Sequence, residues 1–412
     1  MYKRHIEERI REALADTPVI FINGPRQAGK STLIQLLASP DSEYISFDDL
    51  NTVELAKQDP ISFLNNYPEG PILIDEVQRV PSLFPTIKLM VDQNRIPGQF
   101  LLTGSANVLL LPKVSESLAG RMETLTLYPL SMGERFGHRE TFIEDLFDDV
   151  TKHFKPLSRI PIDRNFIHQN IASGGFPEIH KRTNHNRRQA WFRSYIESIL
   201  KKDVQDLANI ENLTKIPNLL ALLGTRSGCL LNFAELSRSS ALATTTLKRY
   251  FTLLETFFLV HTLQPWSNNH SKRYVKSPKV YLNDTGLLCH LLKIQPDHLQ
   301  KLPEYGALFE SFVINELKKI ASWSLPYTDL YHYRTSNGVE VDCVLATDDR
   351  RITGIEIKAS QTVHPKDFNG LLSLKQDCGN QFHCGIILYM GDQILSFGPD
   401  LLAIPVSRLW TS

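Results

Sequence analysis

The chain predicts an α/β fold: a parallel sheet with helices on both faces, then a mostly helical middle, then a second α/β domain. Three observations carry this expectation. A glycine-rich loop, Gly24-Pro25-Arg26-Gln27-Ala28-Gly29-Lys30-Ser31, lies between an apolar strand-like run and a helix-like run. From 17 to about 130, apolar runs of strand length alternate with helical stretches, the rhythm of a parallel sheet covered on both sides. Near the end, charged and apolar residues alternate on two strands, as on a sheet with one polar face.

The first strand is Val19-Ile20-Phe21-Ile22, and Thr32-Leu33-Ile34-Gln35-Leu36-Leu37 begins the helix after the loop. The loop fits GxxxxGK[ST], whose glycines let the backbone fold into a nest of N–H donors while the helix presents its positive dipole end to the same anion. The expectation is a P-loop protein that binds a nucleoside triphosphate with Mg²⁺. Gly24, Pro25, Arg26, Gln27, Ala28, Gly29, Lys30, Ser31 and Thr32 form the nucleotide cradle. Lys30 reaches the β and γ phosphates, and Ser31 holds Mg²⁺.

The next strand runs from Tyr44 to Phe47, followed by Pro71-Ile72-Leu73-Ile74-Asp75-Glu76, a buried-type strand ending in two carboxylates. It reads as a Walker B strand, with Asp75 toward the Mg²⁺ shell and Glu76 orienting the attacking water. The strand Phe100-Leu101-Leu102-Thr103 leads into Gly104-Ser105-Ala106-Asn107. In P-loop ATPases with a strand inserted between the Walker elements, this position carries a polar sensor of the γ-phosphate, here Ser105 or Asn107. A plain polar loop is the alternative. A fifth strand runs from Thr124 to Tyr128.

Residues 140–210 read as a helical lid or connector with a turn at Ser173-Gly174-Gly175-Phe176-Pro177. Between 211 and 300, Leu231-Asn232-Phe233-Ala234-Glu235-Leu236, a serine-rich turn and a helix from Thr244 to Glu255 resemble a helix-turn-helix. An extended stretch, Leu259-Val260-His261-Thr262-Leu263, then leads toward Lys272-Arg273-Tyr274-Val275-Lys276 as a wing. Four Lys/Arg and no acid between His270 and Lys279 suit DNA phosphates, or else an ordinary surface, a protein interface or a spacer.

At the end, a helix carrying Glu310, the strand Gly338-Val339-Glu340-Val341-Asp342 and the strand Gly354-Ile355-Glu356-Ile357-Lys358 follow the order of a PD-(D/E)xK nuclease. Such a site needs adjacent hard oxygen ligands for Mg²⁺ and a nearby cation beside the attacking water. Asp342 and Glu356 are the metal ligands expected, with Glu310 adding a carboxylate and Lys358 acting on water. Asp348-Asp349-Arg350-Arg351 fits the intervening hairpin turn. Glu-x-Lys is also a routine charge pattern on half-exposed strands, so cleavage and mere fold likeness both stay open.

Composition bounds the remaining choices. Lys+Arg and Asp+Glu both number 45, so no whole-molecule field draws the chain to nucleic acid or to an anionic membrane. Contact with DNA must therefore be local. The five cysteines make no CxxC pair, which points to a reducing cytoplasm rather than to a disulfide framework. No apolar run approaches the roughly 20 residues of a membrane span, and the charged start Met1 to Ile10 lacks the apolar core of a secretory signal.

Taken together, the chain resembles prokaryotic AAA-type ATPases with a carboxyl-terminal DUF4143 domain. The resemblance rests on the loop, Ile74-Asp75-Glu76-Val77-Gln78, Leu102-Thr103-Gly104-Ser105, Leu118-Ala119-Gly120-Arg121 and Tyr128-Pro129-Leu130-Ser131 with Glu134. Further matches are Gly174-Gly175-Phe176-Pro177, Asn283-Asp284-Thr285-Gly286-Leu287, Val339-Glu340-Val341-Asp342 and Ile355-Glu356-Ile357-Lys358. It implies ATP as the nucleotide, with a P-loop ATPase domain over 1–139, a helical connector over 140–210, a winged-helix-like domain over 211–300 and a restriction-endonuclease-like α/β domain over 301–412. Arg121 matches the family's Gly-Arg and would supply charge to the γ-phosphate in its own subunit or a neighbour's, or else close a salt bridge at the base of the next strand.

The function this implies is an ATPase whose nucleotide cycle controls a nuclease-like, DNA-directed rear domain, with homo-oligomerisation open. The alternative is a nucleotide-dependent switch or scaffold whose rear domain binds protein or nucleic acid without cutting it. A small-molecule kinase would need an acceptor pocket, for which the sequence has no pattern.

Overall fold

The computed structural model describes residues 1–67, 70–106, 118–200, 215–268 and 277–411. The chain divides into two compact units, Met1–Leu130 with Thr252–Leu259, and Ser131–Phe251 with Val260–Ser412.

The first unit holds β1 (Val19–Asn23), β2 (Glu43–Ser46), β3 (Ile72–Asp75), β4 (Phe100–Gly104) and β5 (Met122–Thr126). Their order is β2-β3-β4-β1-β5, and every pairing is parallel. Strand β4 thus lies between β1 and β3, the inserted strand expected between the Walker elements. β1, β3 and β4 are buried along their whole length, which is why they read as unbroken apolar runs rather than alternating ones. Val19, Phe21, Ile74, Phe84, Phe100 and Leu102 join one core between the sheet and its helices. Asp49 and Asp59 each start a helix by accepting hydrogen bonds from its first amides.

The second unit begins with helices, among them Phe142–Asp148, Arg164–Ser173 and His185–Ser198. Helices Phe233–Ser240 and Thr244–Thr256 follow one another across three residues, Ala241 taking a left-handed φ of 52°. Among the described residues the unit's sheet has eight strands, β6 (Val260–Pro265), β7 (Lys279–Leu282), β8 (Thr328–Arg334), β9 (Glu340–Thr347), β10 (Ile352–Lys358), β11 (Phe382–Tyr389), β12 (Leu395–Ser396) and β13 (Leu401–Pro405). They are ordered β12-β13-β11-β10-β9-β8-β6-β7.

The extended stretch expected ahead of the wing is β6, which pairs antiparallel with β7 and, through Gln264 and Pro265, parallel with β8. Its backbone is therefore taken into the carboxyl-terminal sheet. The segment from Lys272 to Lys276 lies outside the described residues.

Buried carboxylates hold this unit's helical part to its helix Tyr305–Ala321 and to the segment after β7. Glu316 accepts from the Met132 amide at 2.8 Å and from Lys319 Nζ at 2.6 Å. Glu140 takes the Gly133 amide and the Ser131 hydroxyl, both at 2.7 Å, while Ser131 and Glu134 close a capping box. Asp284 accepts from the amides of Gly175 at 2.7 Å and Leu287 at 2.9 Å, and a Cβ on Gly174 would run into its carboxylate. Several motif residues of the sequence reading are thus structural.

Candidate functional site

The first unit's site lies where β1, β3 and β4 end side by side, at the carboxyl edge where parallel α/β sheets bind ligands. Gly24 leaves β1 at a φ of 144°, and a Cβ there would sit 2.2 Å from the Leu127 carbonyl oxygen, so only glycine fits. Gly29 turns the chain at a φ of 100° into the helix Lys30–Leu37, whose first amides carry no side-chain cap. Those amides are donors for an anion.

Lys30 is 5% exposed, and its Nζ donates to the carbonyls of Gly24 at 2.8 Å and Pro25 at 2.9 Å, which holds the ammonium over the loop. Arg26 and Ser31 are half-buried along the same turn, whereas Gln27 and Thr32 are exposed. From behind, Arg4 donates to the carbonyls of Ala28 at 2.8 Å and Tyr128 at 2.6 Å. In the sequence that segment shows only a charged and amphipathic character.

Asp75, buried at the end of β3, accepts from the Thr103 hydroxyl on one oxygen and from Tyr44 OH at 3.0 Å on the other. Burial and then the Asp75 charge hold the Tyr44 phenol above its ordinary pKa, so it stays a donor. Glu76 adopts a left-handed φ of 57° directly after the strand. Its Oε2 accepts from Gln78 Nε2 and from Ser105 Oγ at 3.2 Å, and Gln78 also donates to Ser105 at 3.1 Å. Carboxylate, amide and hydroxyl form a closed triangle. Gly104 leaves room for it, since a Cβ there would lie 2.8 Å from Gln78 Oε1. No local spacing marks Gln78 for this role, and Asn107, the other sensor candidate, lies outside the described residues.

Arg121 is placed against an in-subunit role. Val19 at the start of β1 donates its amide to the Arg121 carbonyl, so this residue sits at the opposite end of the strand from the loop. Five strand residues separate the two levels, roughly 16 Å. Its side chain pairs with Asp92 and donates to the Ala119 carbonyl at 2.9 Å, which is the salt bridge at the strand base.

The donors of the first unit fit ATP and Mg²⁺: a glycine cradle, an ammonium, a hydroxyl and a carboxylate that keeps lone pairs after two hydrogen bonds.

The second unit's candidate site gathers on β7, β9, β10 and the helix Tyr305–Ala321. Alternation on β10 holds as expected: Ile355 and Ile357 are buried, while Glu356 and Lys358 occupy the other face and bond to each other at 2.8 Å. The β9–β10 hairpin turns through 348–351, with Arg350 at a φ of 68°. Asp342 accepts from the Ile357 amide at 2.9 Å. Glu310 is present too, and its partner is Lys279, one of the four Lys/Arg that suit DNA phosphates in the sequence; the structure corrects that expectation for Lys279, whose side chain is 5% exposed and turned to carboxylates. Lys279 Nζ lies 2.9 Å from Glu310 Oε1, 3.3 Å from Asp342 Oδ1 and 3.9 Å from Glu340 Oε2, and Tyr281 OH donates to the same Glu310 oxygen at 2.6 Å.

Burial pulls the Lys279 pKa down, but Glu310, Asp342 and Glu340 outweigh it, and the amine is held above the ordinary lysine value. Burial, and then Asp342, pushes both Glu310 and Glu356 up. Among the described residues no three His, Cys, Asp or Glu side chains stand close enough to hold a metal ion. The expectation of Glu310, Asp342 and Glu356 as a Mg²⁺ set is corrected accordingly: an ammonium lies between two of the three, and the donors do not fit the metal.

Three family models match successive parts of the chain. Residues 16–136 match the model of the AAA domain, residues 164–298 a domain of unknown function, DUF8612, and residues 305–409 another, DUF4143. An uncharacterized protein of Mycobacterium tuberculosis is 32% identical over 412 residues, covering 100% of this chain and 85% of that one. One from Methanocaldococcus jannaschii is 21% identical over 373 residues, covering 87% and 78%. Among solved structures, a Thermotoga maritima RuvB variant aligns at 16% identity over 62% of this chain and 88% of its own, with a TM-score of 0.27. No described helix is long and apolar enough to cross a membrane.

Proposed function

The chain belongs to the AAA-domain proteins that carry a carboxyl-terminal DUF4143 domain, and from that premise we propose that it hydrolyses ATP to control a nuclease-like, DNA-directed rear domain. One observation carries the reading: Lys30, Asp75, Glu76 and Ser105 all stand at the carboxyl ends of three adjacent parallel strands. Lys30 and the amides from Gly24 to Thr32 would hold the phosphates, and Ser31 and Asp75 the Mg²⁺, which neutralises phosphate charge when bound. Glu76, fixed by Gln78 and Ser105, would orient the attacking water. The described cysteines are all free thiols, which suits a reducing cytoplasm. Arg121 has a role in catalysis only if a homo-oligomer brings it to a neighbour's nucleotide.

A second reading, a nucleotide-dependent switch whose rear domain binds DNA or protein without cutting it, is favoured by Lys279 between Glu310 and Asp342. The test is ATP turnover by the purified chain, with and without single- or double-stranded DNA, beside Lys30→Ala and Glu76→Gln. Both variants should lose turnover, and turnover retained in Lys30→Ala would refute the ATPase assignment. A DNA-stimulated rate supports DNA direction, and a flat response refutes it. Cleavage tested across several divalent metals, beside Asp342→Ala and Lys358→Ala, separates the readings: binding without cleavage selects the switch.

A further inference from the structure

Glu310 and Asp342 come from a helix and from β9, but the charge that meets both comes from a third element, the edge strand β7. Lys279 is the first residue of β7, its side chain is 5% exposed, and it reaches Glu310 and Asp342 at 2.9 and 3.3 Å. Tyr281, two residues on and so on the same face, adds its hydroxyl to Glu310. Glu310 Oε1 has two donors. Asp342 uses one oxygen for Lys279 and the other for the Ile357 amide. On Glu356, Oε1 takes Lys358, and Oε2 is buried with no hydrogen-bond partner.

A divalent ion on the Glu310 and Asp342 oxygens would lie beside an ammonium that contacts those same oxygens, and in a low-dielectric pocket the like charges repel strongly. The lysine cannot simply withdraw. Doing so would leave two half-buried carboxylates without a cation and its own charge unmatched. We propose that Lys279 is the resident cation of this pocket, standing where a nuclease of this element order would hold its metal, so that the rear domain works without a divalent ion. The inference rests on the nuclease-like reading of the rear domain and concerns its metal dependence alone.

The test is Mn²⁺ titration of the full, nucleotide-free chain, with free Mn²⁺ read by electron paramagnetic resonance. Wild type and Asp342→Asn should bind the same amount, because any Mn²⁺ near the phosphate loop contributes equally to both. Lys279→Met should gain one bound Mn²⁺ per chain, and Lys279→Met/Asp342→Asn should lose it again. Wild-type binding that Asp342→Asn abolishes would overturn the inference, and would strengthen the metal-nuclease reading rather than weaken it. A Lys279→Met protein with native near-ultraviolet dichroism but no added Mn²⁺ would overturn it as well. Should that variant fail to fold, the comparison of wild type with Asp342→Asn still decides.

Discussion

The guanidinium of Arg4 donates to the carbonyl of Ala28 at 2.8 Å, tying a residue ahead of the first helix to the back of the phosphate loop. A second bond, to the Tyr128 carbonyl at 2.6 Å, joins the loop to the segment after β5. Charge-assisted bonds of this kind contribute about 1.5–3 kcal/mol each. Replacing Arg4 by Met should weaken ATP binding by about tenfold. Isothermal titration calorimetry reads this directly, and unchanged affinity would dismiss the bracing role.

Gln78 holds Glu76 without itself reaching the loop, so its loss should act on rate more than on binding. A misplaced water-orienting group costs on the order of 100-fold in turnover. Gln78→Leu should therefore lower kcat by about 10- to 100-fold with KM nearly constant. Gly104→Ala should move in the same direction, because its methyl would press on the Gln78 amide. Steady-state kinetics showing a raised KM at constant kcat would contradict this account.

Arg121 pairs with Asp92 where both side chains are partly exposed, an interaction that contributes about 1 kcal/mol or less. Arg121→Ala should leave turnover of dilute protein near the wild-type rate. If turnover rises with protein concentration in wild type and not in the variant, Arg121 acts on a neighbouring subunit's nucleotide.

Burial, then Arg135 and Arg188, lowers the His180 pKa from 6.5 to about 3. The unfolded chain takes up a proton near 6.5 that the folded chain refuses until about pH 3, so stability from neutral His180 is complete above 6.5 and drains away as pH falls toward 3. Urea unfolding at pH 7 and pH 5 should show a larger loss for wild type than for His180→Asn. Equal losses would mean His180 does not titrate as described.

The phosphate loop, the Walker B strand and the Glu-x-Lys strand were readable because each lies within a few consecutive residues, where spacing alone fixes which side chains share a face. The inserted strand was readable for a related reason: β4 is a buried apolar run of strand length that ends in polar residues. Lys279 was not. It stands 31 residues before Glu310 and 63 before Asp342, so no local window holds the three together. Arg4 escaped for the same reason, being 24 residues from Ala28 and 124 from Tyr128. Periodicity reports faces within an element, and these contacts are made between elements.

The parallel seam between β6 and β8 bears on any attempt to excise the last hundred or so residues. Cutting the chain near 300 would strip both outer strands, leaving the amides and carbonyls of β8 bare and inviting association with other exposed edges. The same cut would discard the amine that neutralises Glu310, stranding like charges in the interior. A fragment meant to report on the tail should start upstream of Val260, or it will report on aggregation instead.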